Sequence, residues 1–133
     1  WRKVPSGTNG GITWNGIFWS VVGGLIIGLS TIILDSMSAI SPLNVIPVIL
    51  FSSSCGLLGS LIDSLLGATL QQTYYDPESK LVYQQDDPQK PSSAKLLPGS
   101  FNLLTNEAVN LVSVAATTFL GGWVLGPCFF PAE

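Results

Sequence analysis

The sequence contains no histidine, and only 10% of its 133 residues are charged. Without histidine, acid–base catalysis by an imidazole and the common histidine metal sites are excluded. The eight carboxylates outnumber the five cations, so no basic stripe is present to neutralise the phosphates of a nucleic acid. Soluble domains average about 25% charged residues. A hydrophobic content of 47% and a mean hydropathy of +0.47 instead indicate a membrane protein.

Cysteine is nearly as scarce, with one residue at Cys55 and one at Cys128. The first lies in the middle of an apolar run and the second near the C-terminus, so we expect them at different membrane depths. No disulfide is therefore predicted, and no histidine is available to activate either thiol. We interpret both as small buried hydrophobic residues.

Three long apolar runs predict three membrane-spanning helices, at about 12–34, 45–70 and 106–125. The first has 23 residues without a charge, enough to cross about 30 Å of hydrocarbon. Between the second and third runs, residues 72–105 contain four prolines and most of the charges, which predicts a long aqueous loop. The fold class is thus all-α and integral to the membrane, as a single domain of residues 1–133.

Small residues recur every fourth position along the first two helices. Such a seam lets two helix backbones approach closely, so we expect helix–helix packing along it. The seams are Gly16, Ser20, Gly24 and Gly28 on the first helix, and Gly56, Ser60, Ser64 and Ala68 on the second.

The cations are all predicted on one side of the membrane. They are Arg2, Lys3, Lys80, Lys90 and Lys95. Cytoplasmic segments carry an excess of Lys and Arg. The N-terminal segment and the 72–105 loop are therefore expected on the cytosolic, stromal or matrix side, with a plastid or other organelle membrane among the candidates.

A carboxylate lies inside the second span, on a polar stripe of the helix. The stripe comprises Ser60, Asp63, Ser64, Gly67 and Gln71, at helical spacing. A charge in hydrocarbon costs at least ~2.5–3.5 kcal/mol, so Asp63 must face protein, water or a ligand. An intramembrane acid of this kind is a candidate functional residue. The alternative is a carboxylate that only holds the helices together.

Two further polar segments are expected near the same end of the spans. The third helix begins with Asn106 and Asn110, and the first follows the loop Gly7, Thr8, Asn9, Gly10 and Gly11. Glycines allow several N–H groups to point at one anion, and a helix N-terminus adds a positive dipole. The loop is therefore a candidate phosphate-binding segment, the alternative being a flexible turn.

Residues 4–13, 59–71 and 106–110 together carry a family resemblance. The block Gly-Ser-x-x-Asp-Ser-x-Leu-Gly-Ala-Thr-x-Gln at 59–71 is its most specific part. The chain resembles the C-terminal half of the transmembrane protein 19 family (domain of unknown function 92), which includes plant phytyl-phosphate kinases. Glu107 departs from the family pattern, which usually has a second asparagine there. The acidic motif of the family's N-terminal half is absent, and the chain begins with Trp1, so we expect a processed product or a fragment.

The resemblance implies a nucleoside-triphosphate-dependent lipid-phosphate kinase, a transferase. Asp63, Asn106 and Asn110 would be catalytic, and residues 7–11 would hold phosphate. Asp63 would bind Mg²⁺ or orient an isoprenoid phosphate, although no Walker-type Gly-Lys-Ser/Thr occurs. The alternative is a non-catalytic accessory or scaffold subunit of a photosynthetic or respiratory membrane complex, bound to other helices and lipid and needing no cofactor. A transporter ranks third, because only one acidic residue lies deep in a span.

Overall fold

The computed structural model describes residues 3–38, 43–99 and 101–131. The chain forms two compact units, which are described separately. The helix unit comprises Thr13–Ile62 and Ser113–Glu133, and the sheet unit comprises Trp1–Ile12 and Asp63–Val112. Among the described residues, Asp35 is the single charge of the helix unit, while Lys3, Lys80, Lys90 and Lys95 all belong to the sheet unit. Arg2 lies outside the described residues.

Three helical segments are long and apolar enough to cross a membrane, as predicted. They are α1 (Trp14–Ser36), α2 (Val45–Leu70) and the segment Asn106–Phe129. The last consists of α3 (Asn106–Leu120), a π-helical stretch (Gly121–Leu125) and α4 (Gly126–Phe129). The third span thus extends four residues beyond the predicted end at 125, because the π-helical stretch continues the helix instead of ending it.

The small-residue seam of α1 packs on α2, as predicted, and Gly56 of the second seam takes part in this contact. A Cβ built on Gly24 would lie 2.7 Å from Ser53 Cα and 2.9 Å from the carbonyl carbon of Ser52. A Cβ on Gly56 would lie 3.1 Å from Gly24 Cα. The backbones of α1 and α2 are therefore closer here than any side chain allows. Gly16 does not take part, since a Cβ there would meet only its own N-cap, Thr13.

The third span packs on α2 within the helix unit through small and aromatic residues. A Cβ on Gly59 would lie 3.2 Å from Thr117 Oγ1, and one on Gly121 would lie 3.1 Å from Cys55 Sγ. The ring of Phe51 makes edge contacts with both Phe129 and Phe130. Glycine at 121 thus leaves room for the Cys55 sulfur against the π-helical stretch.

Both cysteines are free, as predicted, but only one fits the buried interpretation. Cys55 is half-buried against Gly121. Cys128 is exposed, and its Sγ donates to the carbonyl oxygen of Val124 at 3.3 Å. The prediction that Cys128 is covered by the chain was therefore wrong, because α4 turns it outward.

The segment between the second and third spans contains a small sheet, which the all-α prediction missed. The strands β1 (Thr73–Asp76), β2 (Leu81–Gln84) and β3 (Lys95–Leu96) form an antiparallel sheet in the order β2-β1-β3. Tyrosines and valine suit a half-buried pleated surface. The hairpin turn closes at Lys80, which has a φ of 58°. The predicted aqueous loop is thus partly folded.

One buried carboxylate fastens this sheet. Asp76 is only 3% exposed. Its Oδ2 accepts hydrogen bonds from Ser79 N at 3.0 Å and Ser79 Oγ at 2.6 Å, and its Oδ1 accepts from Ser93 Oγ at 3.0 Å. The Ser79 hydroxyl and the other donors stabilise the charged form and hold the pKa of Asp76 below its ordinary value. Asp76 thereby ties the β1–β2 turn to the segment before β3.

Candidate functional site

A polar cavity of about 340 Å³ lies within the sheet unit. This volume is at the small end of the range of about 300–1,000 Å³ typical of ligand pockets. Most of the residues that line it have amide, hydroxyl or carboxylate side chains. They are Asn9, Gln71, Gln72, Gln84, Gln85, Asp86, Asn102, Leu103, Leu104, Thr105, Asn106 and Glu107.

The glycine loop reaches this cavity because two glycines allow it to lie directly on α2. Gly10 has a φ of +72°, and a Cβ there would collide with Ser64 O and Ala68 N of the helix backbone. A Cβ on Gly67 would in turn lie 3.0 Å from Gly10 N. The two glycines face each other, so close packing by itself accounts for both. The loop consequently crosses α2 at the turn that follows Asp63.

The hydrogen bonds of the loop hold its backbone in place from inside the chain. Thr8 N donates to Pro5 O at 3.3 Å, and Gly11 N donates to Thr8 O at 2.9 Å. Asn9 N donates to Thr73 Oγ1 at 3.2 Å, where Thr73 is buried at the start of β1. Three of the five N–H groups predicted to face a phosphate are therefore used within the protein. The geometry of the loop instead presents the Asn9 side chain to the cavity.

The segment before α3 is fixed to the end of α2 by the free carbonyl groups of that helix. Leu103 N and Leu104 N both donate to Leu70 O, at 3.1 and 3.2 Å, and Phe101 N donates to Thr69 O at 2.8 Å. The last carbonyl groups of a helix have no partner within the helix, so these bonds satisfy them. They also bring residues 102–107 beside Gln71 in the wall of the cavity.

The structure brings some of the predicted site residues together and separates others. Asn9, Gln71 and Asn106 line the cavity, although they come from three distant parts of the sequence. Asp63 and Asn110 do not line it. Asp63 is half-buried on α2, about 12 Å along the helix from Gln71 by the helical rise.

The remaining members of the predicted polar stripe have other positions. Ser64 contributes its carbonyl oxygen to the contact with Gly10. Ser60 belongs to the helix unit. Of the predicted stripe, only Gln71 lines the cavity. The catalytic role of Asp63 and the phosphate-binding role of residues 7–11 stay predictions.

Most of the cavity wall was not predicted from the sequence. The missed residues are Gln72, Gln84, Gln85, Asp86, Asn102, Thr105 and Glu107, with the two leucines beside them. All of them except Glu107, which lies in the predicted third span, fall in the segment that was predicted to be a loop, where the period of a membrane helix gives no signal. One sequence pattern did indicate a folded polar segment here, namely a short alternating strand followed by Gln84-Gln85-Asp86.

The charges on the cavity wall are all negative. Asp86 and Glu107 contribute carboxylates, and no lysine or arginine is among the described residues that line the cavity. Among the described residues, no group of three or more His, Cys, Asp or Glu is placed to hold a metal ion.

Comparisons with known proteins agree with the membrane architecture. The family described as "Integral membrane protein DUF92" matches residues 1–118. Protein PGR from Arabidopsis thaliana is 35% identical over 126 residues, which are 90% of this chain and 41% of that protein. The chain thus spans less than half the length of this relative. No solved structure matches it. With three helices suited to a membrane and a family match over most of its length, the chain belongs to the integral membrane protein family DUF92.

Proposed function

We propose that this protein contributes to phosphoryl transfer from a nucleoside triphosphate to an isoprenoid phosphate in a membrane. The observation that carries the proposal is the position of the polar cavity in the chain. Its wall includes Gln71, directly after one candidate span, and Asn106, at the start of another. A lipid acceptor has its phosphate at the end of its hydrocarbon, so a site at the ends of two spans suits it.

The transfer itself asks the protein mainly for positioning and charge stabilisation. An oxygen of the lipid phosphate forms a bond to the γ-phosphorus while the bond from that phosphorus to the β–γ bridging oxygen breaks. The products are a lipid diphosphate and a nucleoside diphosphate. Amide side chains can orient both reactants, and Asn9, Gln71 and Asn106 are the predicted residues that share the cavity.

Magnesium enters this proposal as part of the nucleotide substrate. When bound, it would neutralise charge on the phosphates. Among the residues of the chain, Asp63 is the predicted ligand. Its carboxylate, together with phosphate oxygens and water, would supply the oxygen ligands that Mg²⁺ prefers.

Turnover by matched variants tests the proposal. The purified protein in lipid nanodiscs is given phytyl phosphate, Mg²⁺ and a nucleoside triphosphate, and the lipid diphosphate is measured by mass spectrometry. Asp63→Asn keeps the shape of the side chain but removes its charge, so we expect it to abolish product formation. Glu78→Gln removes an exposed charge in the β1–β2 turn and should leave turnover unchanged. Turnover by Asp63→Asn equal to that of the wild type would contradict the assigned role.

The alternative proposal, a non-catalytic scaffold subunit, rests on the seams of small residues. An uncovered seam of this kind would bind a partner helix, yet Gly24 and Gly56 already pack on each other within the helix unit. The remaining support for a scaffold is the set of exposed apolar side chains on the spans, such as Phe18, Ile27 and Leu65. Lipid covers such side chains as well as a partner helix does. No turnover in the wild type, with stable co-purification of other subunits, would favour the scaffold.

A further inference from the structure

The cavity in the sheet unit has a composition that disfavours a bare phosphate as its occupant. Its described wall carries two carboxylates, from Asp86 and Glu107, and no cation. Like charges in a partly enclosed site repel each other. The phosphate groups of a nucleotide would thus be repelled unless a metal ion came with them. An uncharged ligand with many hydrogen-bonding groups meets no such penalty.

Gln85 shows one hydrogen bond that the cavity wall leaves unmade. The Oε1 atom of Gln85 is buried and has no hydrogen-bond partner among the described residues. Gln71 is only 7% exposed and contributes to the same wall. Buried polar groups are nearly always paired, so an unpaired group beside a cavity indicates a missing partner. Both glutamines line the same cavity.

The backbone at Gln85 is held in place by a hydrogen bond, so a mobile loop does not explain why its side-chain oxygen has no partner. Lys90 Nζ donates to the carbonyl oxygen of Gln85 at 2.9 Å and lies 4.0 Å from the centre of the Tyr74 ring. The hydrogen bond holds the segment after β2 together, and the contact with the Tyr74 ring joins that segment to β1. Lys90 therefore acts as a positioning residue for the wall, and it does not itself line the cavity.

We infer that the cavity binds the uncharged part of a nucleoside triphosphate, its base and ribose. Amide side chains pair with a base edge because each offers an acceptor oxygen beside donor hydrogens. Carboxylates accept hydrogen bonds from ribose hydroxyl groups, as they do in dinucleotide-binding sites. Leu103 and Leu104 add apolar surface for the flat ring.

The choice of a nucleoside, among neutral polar ligands of this size, rests on the proposed function. Two parts of the nucleoside triphosphate then have different positions. The base and ribose lie among the amides, and the phosphates lie outside the cavity with their Mg²⁺. Asn9, Gln71 and Asn106 are thereby reassigned from phosphate chemistry to recognition of the base and ribose.

The test is direct binding, which requires no turnover. Equilibrium dialysis of the purified protein in nanodiscs against adenosine, cytidine, guanosine and uridine, with inorganic phosphate as a separate ligand, gives the affinities. We expect at least one nucleoside to bind and inorganic phosphate to bind at least tenfold more weakly. Gln85→Met retains the length of the side chain and removes the unpaired oxygen. We expect it to weaken nucleoside binding tenfold or more.

The melting temperature of the ligand-free protein distinguishes recognition from a structural role. Because Gln85 Oε1 has no partner to lose, Gln85→Met should leave the melting temperature unchanged or raise it. Gln89→Met is the matched control in the same segment, since Gln89 is exposed and outside the cavity. It should change neither the affinity nor the melting temperature.

Several results would overturn the inference. They are the absence of binding by all four nucleosides, equal binding of inorganic phosphate, and an unchanged affinity in Gln85→Met. The proposed function is judged separately by lipid-phosphate turnover. Turnover without nucleoside binding would overturn this inference alone, whereas nucleoside binding without turnover would support it and contradict the proposed function.

Discussion

Replacing Gly24 with alanine should destabilise the helix unit, because the contact at this glycine is between two backbones. A Cβ at position 24 would lie 2.7 Å from Ser53 Cα and 2.9 Å from the carbonyl carbon of Ser52. Neither atom belongs to a side chain that can rotate away. The helices α1 and α2 would have to separate by several tenths of an ångström along the whole seam.

The adjacent residue provides the matched control. Gly23 lies in the interior of the same helix, and a Cβ there would meet nothing within 4 Å. Both substitutions gain the same helix propensity, about 1 kcal/mol in favour of alanine. The difference between the two variants therefore isolates the steric cost. Overpacking of a tight interface costs about 1–3 kcal/mol, so Gly24→Ala should be less stable than Gly23→Ala by that amount.

Denaturant unfolding in detergent micelles, followed by circular dichroism, measures the difference in the free energy of unfolding. Gly23→Ala should be as stable as the wild type or more stable. Equal stability of the two variants would refute the close approach of α1 and α2 at Gly24.

Two further predictions concern the sheet unit. Gly10→Ala should destabilise the unit more than Gly99→Ala. Both glycines have positive φ (72° and 113°), but only Gly10 meets the backbone of α2. Thermal unfolding measures the difference, and an equal loss of melting temperature in the two variants would rule out the contact. The hydrogen bonds from Ser79 and Ser93 lower the pKa of Asp76. The charged carboxylate therefore stabilises the fold fully above its ordinary pKa of 3.8, and this stabilisation is lost as the pH falls through the lowered pKa. The protection factors of the amides in residues 73–84 should therefore fall in that acidic range in the wild type. In Asp76→Asn they should already be low at neutral pH, and high protection factors in that variant would argue against this role of Asp76.

The membrane part of the fold was largely predictable because the bilayer imposes its own length and composition. The start and end of α2 at Val45 and Leu70 agree with the prediction, and α1 is displaced by two residues. The seams were predictable because small residues every fourth position have few other uses in a span. The π-helical stretch after Leu120 was not, since a wider helical turn leaves no distinct pattern in the sequence.

The cavity was only partly predictable, for a different physical reason. Asn9 stood out as part of a glycine-rich loop, Gln71 as part of the polar stripe that contains Asp63, and Asn106 as a polar residue at helical spacing from Asn110. Gln85 and Asn102 could not be distinguished from any other polar residue of the 72–105 segment. Their positions depend on the pairing of β1 with β2 and on the bonds from Leu103 and Leu104 to Leu70 O. Such long-range pairings are decided by tertiary structure, and no local period encodes them.

Hydrogen exchange tests most directly whether one ligand site is formed by the loop 7–11, the end of α2 and residues 102–107. The purified protein in nanodiscs is compared with and without a nucleoside triphosphate, Mg²⁺ and phytyl phosphate. Exchange should slow together in residues 8–10, 71–73, 84–86 and 102–107, and remain unchanged in the seam at Gly24 and Ser52. Unchanged exchange in all four segments, or slower exchange confined to the seam, would contradict the site.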